Sequence, residues 1–254
     1  MPLDFKTLTP QIERVINGLQ WEYNRAPALI LTEDDLKCRL HMKLDRLVAL
    51  RRRMPTRDVH ILGSAVHAEL SWYDEHRRLR IRPDLTITEP EGLCILPSYA
   101  TPMLDPFAGA SSFGISRSQQ RLPSKQYEFD GNAITFELKF AREGITKAMI
   151  RLIRQDFAKM QRLFDIMDGR GQGDSLFSFL VIFNKLPQEW QDTPLDKFML
   201  KHGTGPRHKI LYKRCIPYRS LPCSTSGAYR RRLFIGRPPY THGLQTMTEI
   251  CRYS

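Results

Sequence analysis

The stretch Ala133-Ile134-Thr135-Phe136-Glu137-Leu138-Lys139-Phe140-Ala141 reads as a β-strand with two unlike faces. Side chains alternate across an extended strand, so Ile134, Phe136, Leu138 and Phe140 share one face and Thr135, Glu137 and Lys139 the other. A continuous apolar face belongs in a core, and the acid and lysine opposite it then need water, a ligand or a cleft. The same rule applied to Arg78 to Thr88 predicts a second strand, with Arg80, Arg82, Asp84 and Thr86 on one face and Ile81, Pro83, Leu85 and Ile87 on the other. As neighbours in one sheet, these strands would bring Asp84 together with Glu137 and Lys139.

Working outward, Val59 to Tyr73 predicts a strand paired with Arg78 to Thr88 through the polar stretch Asp74-Glu75-His76-Arg77. Upstream, Thr32 is a cap-like residue followed by three acids, and Leu36, Leu40, Leu44 and Leu47 recur at helical spacing. That predicts a helix over Thr32 to Arg53, ended by Met54-Pro55 because the residue before proline is pushed out of the α region. Pro10 to Trp21 predicts an earlier helix. Downstream, Ile145 to Phe164 carries Ile145, Met149, Leu152, Ile153, Met160, Leu163 and Phe164, an amphipathic pattern with a basic opposite side. Leu176 to Leu186 follows a glycine-rich turn as an apolar strand, and Thr193 to Lys201 holds a short helix. The order is helix, strand, strand, strand, helix, strand, which is an α/β pattern. Glu89 to Gly131, rich in Pro, Ser and Gly, interrupts it as a long insertion.

The acid on one strand and the acid and lysine on the other have a use in phosphodiester cleavage. Two carboxylates hold a hard cation such as Mg²⁺, with Mn²⁺ an alternative, while substrate phosphate supplies a further ligand. The cation stabilises charge at phosphorus and acidifies a water, and a lysine orients that water. The competing role for the same residues is a solvent-facing Glu137–Lys139 pair with Asp84 a surface acid.

Arg82-Pro83-Asp84 followed by Glu137-Leu138-Lys139 resembles the signature of the PD-(D/E)xK, or restriction-endonuclease-like, nuclease superfamily. The resemblance spans about Thr32 to Leu186. It implies an αβββαβ core with a central mixed sheet flanked by helices, with Asp84 and Glu137 as metal ligands and Lys139 assisting the attacking water. It also implies a metal-facing carbonyl at Leu138, a further acid in the first helix, best matched by Glu33, and a polar residue on the helix after the lysine strand. Of Gln155, Asp156 and Lys159 there, Gln155 is carried over, and Gln155 and Lys159 are expected to meet nucleic acid. The insertion between the two acidic strands departs from the short connection frequent in that superfamily.

Composition points to the same partner. The chain has 39 basic and 27 acidic residues, a net charge of +12. Between Lys201 and Ser254 stand eleven Lys or Arg and one acid, Glu249, so nearly all of the excess is C-terminal. Such a field favours polyanions, DNA first and RNA second. Arg230, Arg231 and Arg232, beside Tyr229 and Phe234, combine charge with rings that stack on bases. The expected organisation is a nuclease domain over 1–200 with the insertion at 89–131, and a basic C-terminal extension over 201–254 that packs on the same domain or stands apart. A homodimer or larger assembly is compatible with it. Five cysteines at irregular spacings suit a reducing, intracellular compartment, and no apolar run approaches the ~20 residues of a membrane-spanning helix. The spacings of His202, His208, Cys215 and Cys223 match no familiar zinc pattern. The expected function is metal-dependent endonucleolytic cleavage. The alternative is a non-cleaving nucleic-acid-binding or assembly subunit with a nuclease-like fold.

Overall fold

The computed structural model describes residues 3–51, 53–57, 62–73, 80–94, 128–129, 131–169, 171–185 and 193–215. Arg230, Arg231, Arg232, Cys223, the stretch Asp74 to Arg77 and most of the insertion lie outside the described residues.

A mixed sheet of six strands forms the centre. Its strands in chain order are β1 (Val66–Ala68), β2 (Leu85–Thr88), β3 (Ala133–Ala141), β4 (Leu176–Asn184), β5 (Thr204–Gly205) and β6 (His208–Arg214). Across the sheet they stand in the order β5, β6, β4, β3, β2, β1. β1, β2 and β3 run antiparallel, β3, β4 and β6 parallel, and β5 antiparallel to β6.

Two helical layers cover the sheet. On one side lie α1 (Phe5–Arg25) and α2 (Glu33–Leu44). Ile12, Ile16 and Leu19 of α1 and Leu36, Leu40 and Leu44 of α2 are wholly buried against Leu85, Phe136, Leu138 and Phe179. Each such side chain contributes about 1.5–3 kcal/mol relative to exposure. On the other side α3 (Lys147–Gly169) and α4 (Thr193–His202) pack Ile153, Phe157, Met160, Phe164 and Phe198 over Leu180, Ile182 and Ile210. The helix ends follow local chemistry. Asp4 accepts the Lys6 N–H and starts α1 earlier than the apolar pattern from Pro10 implies. At α2, Thr32 Oγ1 accepts the Asp35 N–H at 3.0 Å while Asp35 Oδ2 accepts the Thr32 N–H at 3.0 Å, a reciprocal capping box.

Three expectations need correction. The helix from Thr32 does not reach Arg53; it stops at Leu44, and a separate turn, Val48–Arg51, follows. Val59 to Tyr73 and Arg78 to Thr88 are not unbroken strands. The pairings Val66↔Ile87 and Trp72↔Ile81 keep one antiparallel register, but the ladder is interrupted between them. Glu69, at φ 54, takes the left-handed conformation that costs a non-glycine residue energy, and Pro83, which the register sets opposite Leu70, has no N–H to donate. The faces exchange across this break, so Ile81 packs in the α3 layer while Leu85 and Ile87 pack in the α1–α2 layer. The single-face reading of Arg78 to Thr88 therefore does not extend upstream of Asp84. Finally, His208–Arg214, inside the stretch assigned to a basic extension, is a sheet strand pairing β4 from Ser178↔His208 to Asn184↔Arg214.

Candidate active site

β2 is short and β3 is long, and the site is built on the difference. Their ladder ends at Leu85↔Phe136, with the Asp84 N–H reaching back to the Phe136 carbonyl at 2.9 Å. Among the described residues β3 continues for five residues with β4 as its strand partner. In an antiparallel edge alternate residues point their N–H and C=O groups toward the missing neighbour, and here those residues are Leu138 and Phe140. Carboxylates replace the missing strand. Asp84 Oδ2 accepts the Leu138 N–H at 2.7 Å and Glu33 Oε2 accepts the Phe140 N–H at 3.1 Å. Glu33 is placed for this by the capping box, which sets it in the first turn of α2, where the helix dipole favours a negative charge.

The alternate side chains, Glu137 and Lys139, face α3. Glu137 is only 4% exposed and Asp156, from the buried stripe of α3, also 4%. Lys139 Nζ donates to the Leu138 carbonyl at 2.8 Å and forms ion pairs with Asp156 Oδ2 at 2.8 Å and Glu33 Oε1 at 3.4 Å. Lys159, one turn beyond Asp156, reaches Asp156 Oδ1 at 2.5 Å and Glu137 Oε2 at 3.9 Å. Lys139 thus pairs with acids from two helices, and Glu137 is buried. That is not the arrangement of a solvent-facing Glu137–Lys139 pair.

Four carboxylates, Glu33, Asp84, Glu137 and Asp156, therefore meet two ammonium groups, Lys139 and Lys159. Burial, followed by the charges of Asp156 and Asp84, pushes Glu137 up to about 8, against the opposing pull of Lys159 and Lys139. Burial also raises Asp84, although the Leu138 N–H and Lys139 oppose it, and raises Glu33 against Lys139 and the Phe140 N–H. For Lys139 burial acts downward, but Asp156, Glu33 and Asp84 outweigh it and hold the ammonium above its ordinary value. Lys159 is raised in the same way by Asp156 and Glu137.

No family model, curated protein or solved structure matches this chain.

Glu33, Asp84, Glu137, Leu138, Lys139 and Lys159 come together at the β3 edge and α3. Gln155 is on α3 but exposed, whereas its neighbour Asp156 is the residue turned to Lys139. The signal for Asp156 was its position: an acid within the apolar stripe Ile153, Phe157 and Met160. Around this site Lys37 pairs with Glu69 at 2.7 Å, and Arg82 approaches Glu69 at 3.6 Å. His202 and His208 pack around Phe157 in the α3 layer, whereas Cys215 is buried in the opposite core. Among the described residues no group of three or more His, Cys, Asp or Glu side chains is arranged as a metal centre. Nor does any described helix have the length and apolarity to cross a membrane.

Proposed function

We propose that this chain is a divalent-metal-dependent nuclease that hydrolyses phosphodiester bonds, with DNA the first substrate expected, and that its core is of the restriction-endonuclease-like kind. The observation that carries the reading is the vacated β3 edge, where Asp84 and Glu33 occupy the place of a strand and Glu137 and Lys139 stand on the residues between. The succession α2, β1, β2, β3, α3, β4 supports the same reading.

The donor set suits a hard cation. Carboxylate and carbonyl oxygens are the ligands Mg²⁺ and Mn²⁺ prefer, and sulfur and imidazole are not among the groups that converge here. The electrostatics suit it as well: burial and the neighbouring acids Asp156 and Asp84 raise Glu137 to about 8 despite Lys159 and Lys139, so the described acids of the site favour an added positive charge. Asp84 and Glu137 would hold the cation, with the Leu138 carbonyl and Glu33 beside it, directly or through water. A bound cation of this kind stabilises charge developing on a phosphate and acidifies a water.

The protein's own part is largely positioning. Lys139 orients the attacking water and balances the anionic transition state. Asp156 fixes the Lys139 ammonium and keeps it charged. Lys159, half exposed, offers its charge to an incoming phosphate.

The test is cleavage of linear, circular and single-stranded DNA and of RNA in Mg²⁺ or Mn²⁺, with chelator as control. Wild type should cut in a chelator-sensitive manner, and Asp84→Asn and Lys139→Ala should not. Cleavage that persists in both variants would place the chemistry elsewhere. Binding by wild type without cleavage of any substrate would favour the non-cleaving subunit.

A further inference from the structure

We propose that the groove between α3 and α4 binds the phosphate backbone of nucleic acid. The groove is a cavity of about 640 Å³ whose rim carries Arg154 of α3 and Lys197 and Lys201 of α4. All three are exposed, and none forms an ion pair with an acid among the described residues. The floor is aromatic. Phe157 and Phe198 meet edge to face at 5.4 Å, and the His202 ring lies 4.8 Å from Phe157 and 5.1 Å from Phe198. Burial, then the charge of Lys201, lowers the His202 pKa.

Unpaired cations are usually solvated ornaments of a helix, and Lys201 has a local reason to be where it is, in the last turn of α4, where a cation complements the helix dipole. Arg154 and Lys197 have no such reason. They converge on one groove from two helices, and three like charges with no acid paired to them among the described residues raise the affinity of that surface for a polyanion. Arg154 and Phe157 lie within one turn of Asp156 along α3, about 5.4 Å of helix axis, so the groove and the Lys139–Asp156 pair share one level of the helix on different faces.

The proposal rests on nucleic acid being the substrate but does not require cleavage, so binding is measured in Ca²⁺. A labelled DNA duplex and the corresponding single strand are titrated with full-length wild type and with the triple variant Arg154→Gln, Lys197→Gln, Lys201→Gln. The control, Arg14→Gln, Arg46→Gln, Arg51→Gln, removes the same charge from the other helical layer. The groove variant should bind at least about tenfold more weakly, and its log-affinity against log-salt slope should flatten by about 2–3, since each lost phosphate contact removes ~0.9. The control should change little.

Equal losses in both variants would reduce the effect to net charge and overturn the proposal, as would no loss in either, or wild type that binds neither probe. Loss of binding to phosphatidylserine vesicles with unchanged duplex affinity would assign the groove to a membrane instead. Amine acetylation of wild type gives a second readout that needs no variant: Lys197 and Lys201 should be protected when the duplex is bound, and unchanged reactivity would also overturn the proposal. Failure of cleavage leaves this result standing, and failure of the groove leaves the cleavage reading standing.

Discussion

The Asp84 carboxylate accepts the backbone N–H of Leu138 at 2.7 Å, so an acid from the end of one strand closes the hydrogen bonding of the next. This gives Asp84 a structural role separable from any chemical one. Asp84→Ala should lose about 1–3 kcal/mol, the cost of leaving that donor unpaired. Asp84→Asn keeps an acceptor and should recover most of the loss in a denaturant titration while still lacking cleavage and Mg²⁺ binding by calorimetry. Equal stability of the two variants would show that the bond contributes nothing to the fold.

Lys139 and Asp156 form a largely buried ion pair, and breaking one partner strands the other. Lys139→Ala should abolish cleavage, retain DNA binding in Ca²⁺, and destabilise the protein by about 3 kcal/mol at neutral pH. Asp156→Asn should lower the reaction rate more than it weakens substrate binding, because it releases the Lys139 ammonium without touching substrate. It should also lower the pKa of Glu137, readable by carbon NMR of the carboxyl group. An unmoved Glu137 titration would contradict the electrostatic coupling.

Glu137 makes the metal-free protein sensitive to pH. Between its ordinary value of 4.5 and its folded value of about 8 the native state holds a proton that the unfolded chain has released. Its contribution to stability is therefore complete below about pH 4.5 and is lost as pH rises through about 8. The steepest loss is about 1.4 kcal/mol per pH unit for one proton. Thermal melts from pH 5 to pH 9 should show the decline, and Glu137→Gln should flatten it. Mg²⁺ affinity should run the opposite way, strengthening with pH over the same interval, since the cation competes with the proton.

Thr32 is tied to the site through its cap. Thr32→Ala should cost about 1 kcal/mol of stability and lower activity by freeing Glu33, while Thr32→Ser should restore both. Loss of stability without any change in activity would remove Glu33 from the site.

The α/β order, the mixed sheet flanked by helices and the location of the acidic strands were legible in the sequence because they depend on periodicity. Ile134, Phe136, Leu138 and Phe140 alternate, Leu36, Leu40 and Leu44 recur at helical spacing, and both patterns are buried as that spacing implies. What was not legible depended on conformations at single residues or on distant partners. The reversal of faces at Glu69 and Pro83 has no period to reveal it. β6 was hidden because Lys209, Lys213 and Arg214 give it the composition of a basic tail, although Ile210 and Leu211 enter the two opposite cores. Asp156 rather than Gln155 faces Lys139 because helical phase, not polarity, decides which residue turns inward.

The ends of the insertion lie side by side. Leu93 pairs with Phe129 and Cys94 with Glu128, while Glu89 accepts the N–H groups of Leu3 and Asn132 across the same junction. The gap at this point in the fold is thus already bridged by the described residues on either side of it. This makes the junction a natural port for exchange. A short turn, or a foreign binding module, spliced between those residues should leave Asp84 opposite Leu138, so new recognition can be grafted onto the chain without rebuilding the site.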